Sequence, residues 1–289
     1  MNAPPLPPVH LPARNSDAHK GNFGRVMLVG GSRGMSGSIA LSSMAALKTG
    51  SGLVTAAVPD RCLETVASFH PCMMVVPLAD DAQGRFATEA ALALPAKLKP
   101  LDAIACGPGM TMAAGSVRIV ERLLQTTALP RVLDADAINV LALMDWPAPE
   151  NVQSSGRLVL TPHPGELHRL TGVPPSDREQ QISIAQILAE RTGAVIVVKG
   201  GPTVVVSGDQ RWTNTTGNPG MATGGSGDVL TGVITSLLGQ KMDPWDATRL
   251  GVWVHGRAGD LAAAQHGEAG MTALDILEQL PHVIRQCVE

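Results

Sequence analysis

Short strand-like runs alternating with helix-like stretches constrain this chain more than any single residue does. Residues 25–29, 53–58, 103–106, 131–134, 157–161 and 195–199 each read as a buried strand. Each is followed by a Gly/Pro-containing turn and most by a helical stretch. That alternation predicts a three-layer α/β/α plan around a central, mostly parallel sheet. The segment PTVVVSGDQRW (202–212) departs from it and reads as two short strands around Ser207-Gly208-Asp209, a hairpin at the sheet edge. Beyond it the chain turns helical. With 289 residues, 44% of them hydrophobic and 16% charged, a large core can be buried. No composition break, long linker or repeat divides the chain. One domain over residues 17–289 is therefore expected, behind an extended proline-rich arm at residues 1–16.

Charge and composition remove whole classes of partner. A formal net charge of −3 leaves no basic footprint, and 2% aromatic residues leave little on which bases could stack, so no nucleic-acid partner is expected. The cysteines Cys62, Cys72, Cys106 and Cys287 lie far apart without metal or redox spacing. They read as buried thiols of a reducing compartment, and a cytoplasmic location is expected. The opening MNAPPLPPVHLPARNSDAHKG carries no apolar signal core, and no apolar run reaches membrane-spanning length.

The loop VGGSRGMSG (29–37) sits between a strand-like run and an Ala-rich helical one, where backbone N–H groups could meet an anion. It is not a P-loop, because Gly37 is followed by Ser38-Ile39 and not by Lys and Ser or Thr. It also fails as the cofactor turn of a short-chain dehydrogenase, whose chemistry needs a tyrosine; this chain has none. Gly31, Gly34 and Gly37 are spaced three apart, away from the G-x-G-x-x-G dinucleotide fingerprint. A ligand-free glycine connection stays open as the alternative.

A stronger pattern is NPGMATGGSGDVL (218–230). Apolar residues from Val229 to Leu238 fall at helical spacing, so a core-facing helix begins near Gly227-Asp228, with the glycines at its N-terminus. Unpaired N–H groups and the helix dipole there suit negative charge on a moving phosphoryl group, and a carboxylate could take a proton from an attacking hydroxyl. Asp228 as a simple helix cap is the competing reading. Two more clusters stand at strand ends, where open sheets bind ligands. TPHPGE (161–166) presents His163 and Glu166, or is only a rigid turn. VKGGPT (198–203) presents Lys199 and Gly200-Gly201, or an exposed lysine before the hairpin.

Taken in order, HKGNFG (19–24), VGGSRGMSG (29–37), CGPGM (106–110), LDADAIN (133–139), TPHPGELHRLTG (161–172), VKGGPTVV (198–205), NPGMATGGSGD (218–228) and HGRAGD (255–260) closely resemble the ADP- or ATP-dependent NAD(P)H-hydrate dehydratase family, over about residues 17–282. The resemblance implies the ribokinase-like fold. It also implies an activity that restores NADH or NADPH from the (6S)-hydrates by phosphorylating the C6 hydroxyl and releasing phosphate. It assigns Asp228 as catalytic base, with Gly225 and Gly227 in an anion hole also formed by Gly224 and Ser226. Lys199, Gly200, Gly201, Pro202, Thr203, Asn218 and Gly227 would bind nucleotide, and Ser38, Gly107, Gly109, His163, Glu166 and Asp228 the hydrated substrate. ADP or ATP as co-substrate, Mg²⁺ on its phosphates, and a homo-oligomer, a homotetramer, complete what it implies. No carboxylate pair identifies itself as a metal ligand, and Asp134 and Asp136 read as structural. Ser38 stands where alanine is expected and Ser226 where threonine is common. Other readings are a small-molecule kinase of the same fold and a nucleotide-binding regulator without turnover.

Overall fold

The computed structural model describes residues 5–147 and 157–289. Nine strands form one sheet: β1 (Arg25–Val29), β2 (Leu53–Pro59), β3 (Met74–Leu78), β4 (Ala103–Cys106), β5 (Arg131–Leu133), β6 (Leu158–Leu160), β7 (Val195–Val198), β8 (Val204–Ser207) and β9 (Gln210–Thr213). Their order is β3-β2-β1-β4-β5-β6-β7-β8-β9. All pairings from β3 to β7 are parallel, and β8 and β9 add antiparallel. The expected edge hairpin is thus present, turning at Gly208, whose φ is 53°. The sequence pattern did not signal β3. Its burial does not alternate and Pro77 interrupts it, as an edge strand tolerates.

The helices are α1 (Ser36–Lys48), α2 (Leu63–Ala67), α3 (Leu94–Leu98), α4 (Ala114–Gln125), α5 (Asp136–Leu143), α6 (Pro164–Thr171), α7 (Arg178–Thr192), α8 (Ser226–Gly239), α9 (Pro244–His266) and α10 (Ala273–Gln286). Successive residues of a strand face opposite sides. Val26 and Leu28 of β1 accordingly join a core with α1, α2, α8, α9 and α10. Met27 and Val29 join a second core with α3 to α7. Three layers result, as the alternation of elements predicts.

Of the arm, residues 1–4 lie outside the described residues. Leu11 is buried and bridges to Val288, its N–H donating to Cys287 O at 2.7 Å. Cys62, Cys106 and Cys287 are buried, whereas Cys72 is exposed, against the expectation of four buried thiols: it lies in the turn before edge strand β3. No helix among the described residues is long and apolar enough to cross a membrane.

Candidate active site

From β1 the chain runs outward to β2 and β3, and β4 then starts on the other side of β1. The loops leaving β1 and β4 therefore diverge at a topological switch point, where the carboxyl edge of an open sheet forms a crevice. Here the two loops pack backbone against backbone. Gly31 N–H donates to Pro108 O at 2.7 Å, Ser32 Oγ donates to Gly109 O at 2.9 Å, and a Cβ on Gly30 would come within 2.3 Å of Pro108 O. At Gly34 and Gly37 an added Cβ would meet nothing within 4 Å. Part of the glycine content thus serves loop packing, and part leaves open space. Gly107 abuts the backbone of Asp134, since a Cβ there would fall 1.7 Å from its carbonyl oxygen.

The start of α8 faces this crevice. Gly225 is its N-cap, with φ 90°, a conformation that a Cβ would strain, and no side chain caps the helix. Asp228 lies in the first turn without capping it, so the capping alternative does not describe this residue. Burial, with Asp134 adding repulsion, pushes the Asp228 carboxyl up to about 6, against the opposing influence of the Ser38 hydroxyl and of Lys199. A carboxylate poised there is ionised at neutral pH yet basic enough to take a proton.

Behind Asp228 stands an ion pair that local sequence gives no hint of. Lys199, at the end of β7, lies 2.8 Å from Asp134 Oδ1, and Asp134 Oδ2 accepts from Thr231 Oγ1 of α8 at 2.6 Å. Asp134 is 1% exposed. Burial opposes its charge, but Lys199 and Thr231 hold its carboxyl below the usual range. Burial likewise works against the Lys199 ammonium, and Asp134 followed by Glu166 holds it above its ordinary value. Lys199 is therefore not an exposed lysine before a hairpin. Gly227 fits beside the pair: a Cβ there would lie 3.3 Å from Lys199 Nζ.

A cavity of about 1000 Å³ opens next to this turn. Lys199, Gly200, Gly201, Pro202, Thr203, Asn218, Gly227 and His163 all border it, together with Ser226 and the stretch 214–217. Arg178 at the start of α7 holds the 198–202 turn in place by donating to the carbonyls of Val198, Lys199 and Pro202 at 3.0, 2.8 and 2.7 Å. Its position in the first turn of a helix, 20 residues upstream of that turn, gave no sign of this.

Ser38 adjoins Asp228, whose charge its hydroxyl favours; Gly109 adjoins Ser38 in turn, since a Cβ there would lie 3.1 Å from Ser38 Cβ, while Gly107 packs against Asp134. His163 and Glu166 form a capping box on α6. His163 Nδ1 accepts from Gly165 N at 2.9 Å, and Glu166 Oε2 accepts from His163 N at 2.8 Å. Glu166 is 4% exposed and its carboxyl is pushed up to about 7, chiefly by burial. Its backbone bond occupies one carboxyl oxygen, and it does not border the cavity. Among the described residues no group of three or more His, Cys, Asp or Glu could hold a metal ion. Mg²⁺ is commonly held by phosphate oxygens and water with one or two carboxylates, and a site of that kind needs no such group.

The family model for NAD(P)H-hydrate dehydratase matches residues 26–282. The bifunctional NAD(P)H-hydrate repair enzyme of Moorella thermoacetica is 44% identical over 281 residues, covering 96% of this chain and 52% of that protein. The chain thus spans about half the length of the curated relatives it matches. Among solved structures, a ribokinase-like superfamily protein from Enterococcus faecalis superposes with a TM-score of 0.83 at 28% identity, covering 96% of this chain and 93% of the other. The ADP/ATP-dependent NAD(P)H-hydrate dehydratase of Bacillus subtilis, co-crystallised with ATP/Mg²⁺, gives a TM-score of 0.80 at 29% identity, covering 96% and 94%. The fold is ribokinase-like.

Proposed function

The chain belongs to the NAD(P)H-hydrate dehydratase family, and on that premise we propose that it uses a nucleotide to return (6S)-NADHX and (6S)-NADPHX to NADH and NADPH. The carrying observation is the position of Asp228. It stands in the first turn of α8, with the nucleotide-sized cavity bordered by the adjacent Gly227 and the Ser38 hydroxyl against its carboxyl.

In this reading a terminal phosphoryl group sits at the start of α8, against the N–H groups of Gly227 and Asp228 in its first turn. Asp228 takes the proton of the C6 hydroxyl as that oxygen attacks phosphorus, and the remainder of the nucleotide departs. Phosphate, a far better leaving group than hydroxide, then leaves C6 with the C–O electron pair. Loss of a proton from the neighbouring ring carbon restores the dihydronicotinamide. Lys199, Gly200, Gly201, Pro202, Thr203 and Asn218 hold the nucleotide. His163 borders the shared space, and Glu166 acts by holding His163 in its capping box.

ADP is the proposed donor, giving AMP and phosphate. The ATP/Mg²⁺ co-crystals of the Bacillus subtilis relative support an adenine nucleotide. Mg²⁺ would neutralise phosphate charge, and no step assigned to this chain's residues runs through it. A cytoplasmic homo-oligomer, a tetramer, goes with this reading and is checked by light scattering on the purified chain.

The deciding assay mixes purified protein with NADHX and either ADP or ATP and follows the reduced-nicotinamide absorbance. Recovery of NADH only when nucleotide is present is expected, with ADP active. Recovery without nucleotide would overturn the phosphorylation route. Activity with ATP while ADP is inert would overturn the choice of donor. A phosphorylated product that accumulates without NADH would make the protein a kinase.

A further inference from the structure

The segment HGRAGD (255–260) lies inside α9 and has no part in the chemistry above. Its residues 255, 256, 259 and 260 are spaced to share one face of the helix. That face meets the wall of the cavity at four points. His255 Nε2 lies 3.3 Å from Ser226 Oγ at the start of α8. A Cβ on Gly256 would come within 2.3 Å of Thr216 Oγ1, and one on Gly259 within 2.3 Å of Met221 Sδ. The Asp260 carboxylate accepts from Gly217 N, 3.1 Å from each oxygen, and from Asn218 Nδ2 at 3.1 Å. Asn218 Oδ1 in turn accepts from Gly220 N at 3.0 Å. Ser226, Thr216, Met221, Gly217 and Asn218 all border the cavity.

We infer that this face of α9 is the positioning device of the nucleotide cavity. Asp260 sets the backbone of the 214–221 wall, the two glycines let the helix approach it closely, and His255 orients Ser226. A charged acceptor that takes two N–H groups of one loop holds it more firmly than neutral partners would. Gly256 is required by contact, since a Cβ there would also meet the Thr216 backbone at 2.8 Å, whereas at Gly259 the neighbour is the flexible end of Met221. His255 is buried, which pushes its ring down to about 4, so it stays neutral at physiological pH and adds no charge beside the phosphate site. None of these groups touches the reacting atoms. The nature of the ligand rests on the function proposed above, whereas the hold on the wall does not.

Asp260→Ala and Asp260→Asn test this through two independent readouts. Hydrogen exchange of the segment 214–221 should quicken about tenfold or more in the alanine variant, and less in the asparagine variant, which keeps one acceptor oxygen. Nucleotide KM should rise about tenfold in the alanine variant while kcat stays within about twofold. If the alanine variant does not fold, the asparagine variant is read alone, with an expected KM rise of about threefold. Unchanged exchange in 214–221, or a loss confined to kcat, would overturn the inference. If the unaltered protein binds neither ADP nor ATP by calorimetry, the proposed function falls, and the exchange result still decides the role of Asp260.

Discussion

Asp228 carries most of the proposed chemistry, and its substitution separates a base from a structural group. Asp228→Asn keeps the shape and removes the base, so turnover should fall by at least about a hundredfold. Stability should move the other way. The folded-state pKa of Asp228 is raised, so between its ordinary value near 3.8 and about 6 the native state binds more protons than the unfolded one. Stability then falls as pH rises through that window, and above pH 6 the charged carboxylate destabilises the fold. The asparagine variant lacks this burden. Its melting temperature should exceed that of the parent above pH 6, and the gain should vanish as pH falls toward 4. Melting curves at pH 8 and pH 4 check this, and a lower melting temperature at pH 8 would mean that Asp228 serves the fold. In the parent enzyme kcat/KM should rise with pH through about 6, as the base loses its proton. Asp228 was legible in the sequence because the glycines next to it announce a helix start. The Asp134–Lys199 pair was not, because 65 residues separate the two groups and each looks ordinary alone.

At the scale of elements, the site depends on how α1 and α8 approach each other. Gly232 of α8 lies directly on α1: a Cβ there would fall 2.0 Å from Ser42 O and 2.8 Å from Ala45 Cβ. Neither atom can yield easily, one being helix backbone and the other a buried methyl group. Gly232→Ala should therefore force the helices apart, destabilising the protein by about 1–3 kcal/mol, the usual scale of overpacking. Ser38 rides on α1 and Asp228 on α8, so kcat should fall as well, although Gly232 is one turn beyond the base. Urea unfolding checks the first part and steady-state kinetics the second; unchanged stability would show that the contact relaxes freely. Such contacts between helices distant in sequence are not readable from spacing. The strands were, where short apolar runs face two cores, as in β1, β4 and β7. Strand β3 escaped because an edge strand is half exposed and needs neither alternation nor an unbroken ladder. The turns that bear the site were legible for a related reason, since glycine is required wherever backbone must lie against backbone, as at Gly107.

The whole molecule brings an anionic ligand to a protein that is itself negative, with a formal net charge of −3. Long-range attraction is therefore not what binds nucleotide, and even the Lys199 charge is offset by Asp134 at 2.8 Å. What remains is local: the free N–H groups at the start of α8 and the walls of a cavity built from segments as distant as His163 and Gly256. A ligand that bridges such segments binds only the folded chain and stabilises all of it. At a hundredfold excess over Kd this amounts to about 2.7 kcal/mol. ADP or ATP should accordingly raise the melting temperature by an amount that grows with the logarithm of nucleotide concentration. The same rise should appear in Asp228→Asn, because Asp228 stands beside the cavity without lining it, and nucleotide can be held where no phosphoryl group is transferred. Thermal shift measurements on both proteins across a nucleotide series make the comparison. A shift in the parent that disappears in Asp228→Asn would place the carboxylate in ground-state nucleotide binding, and its role as base would have to be given up.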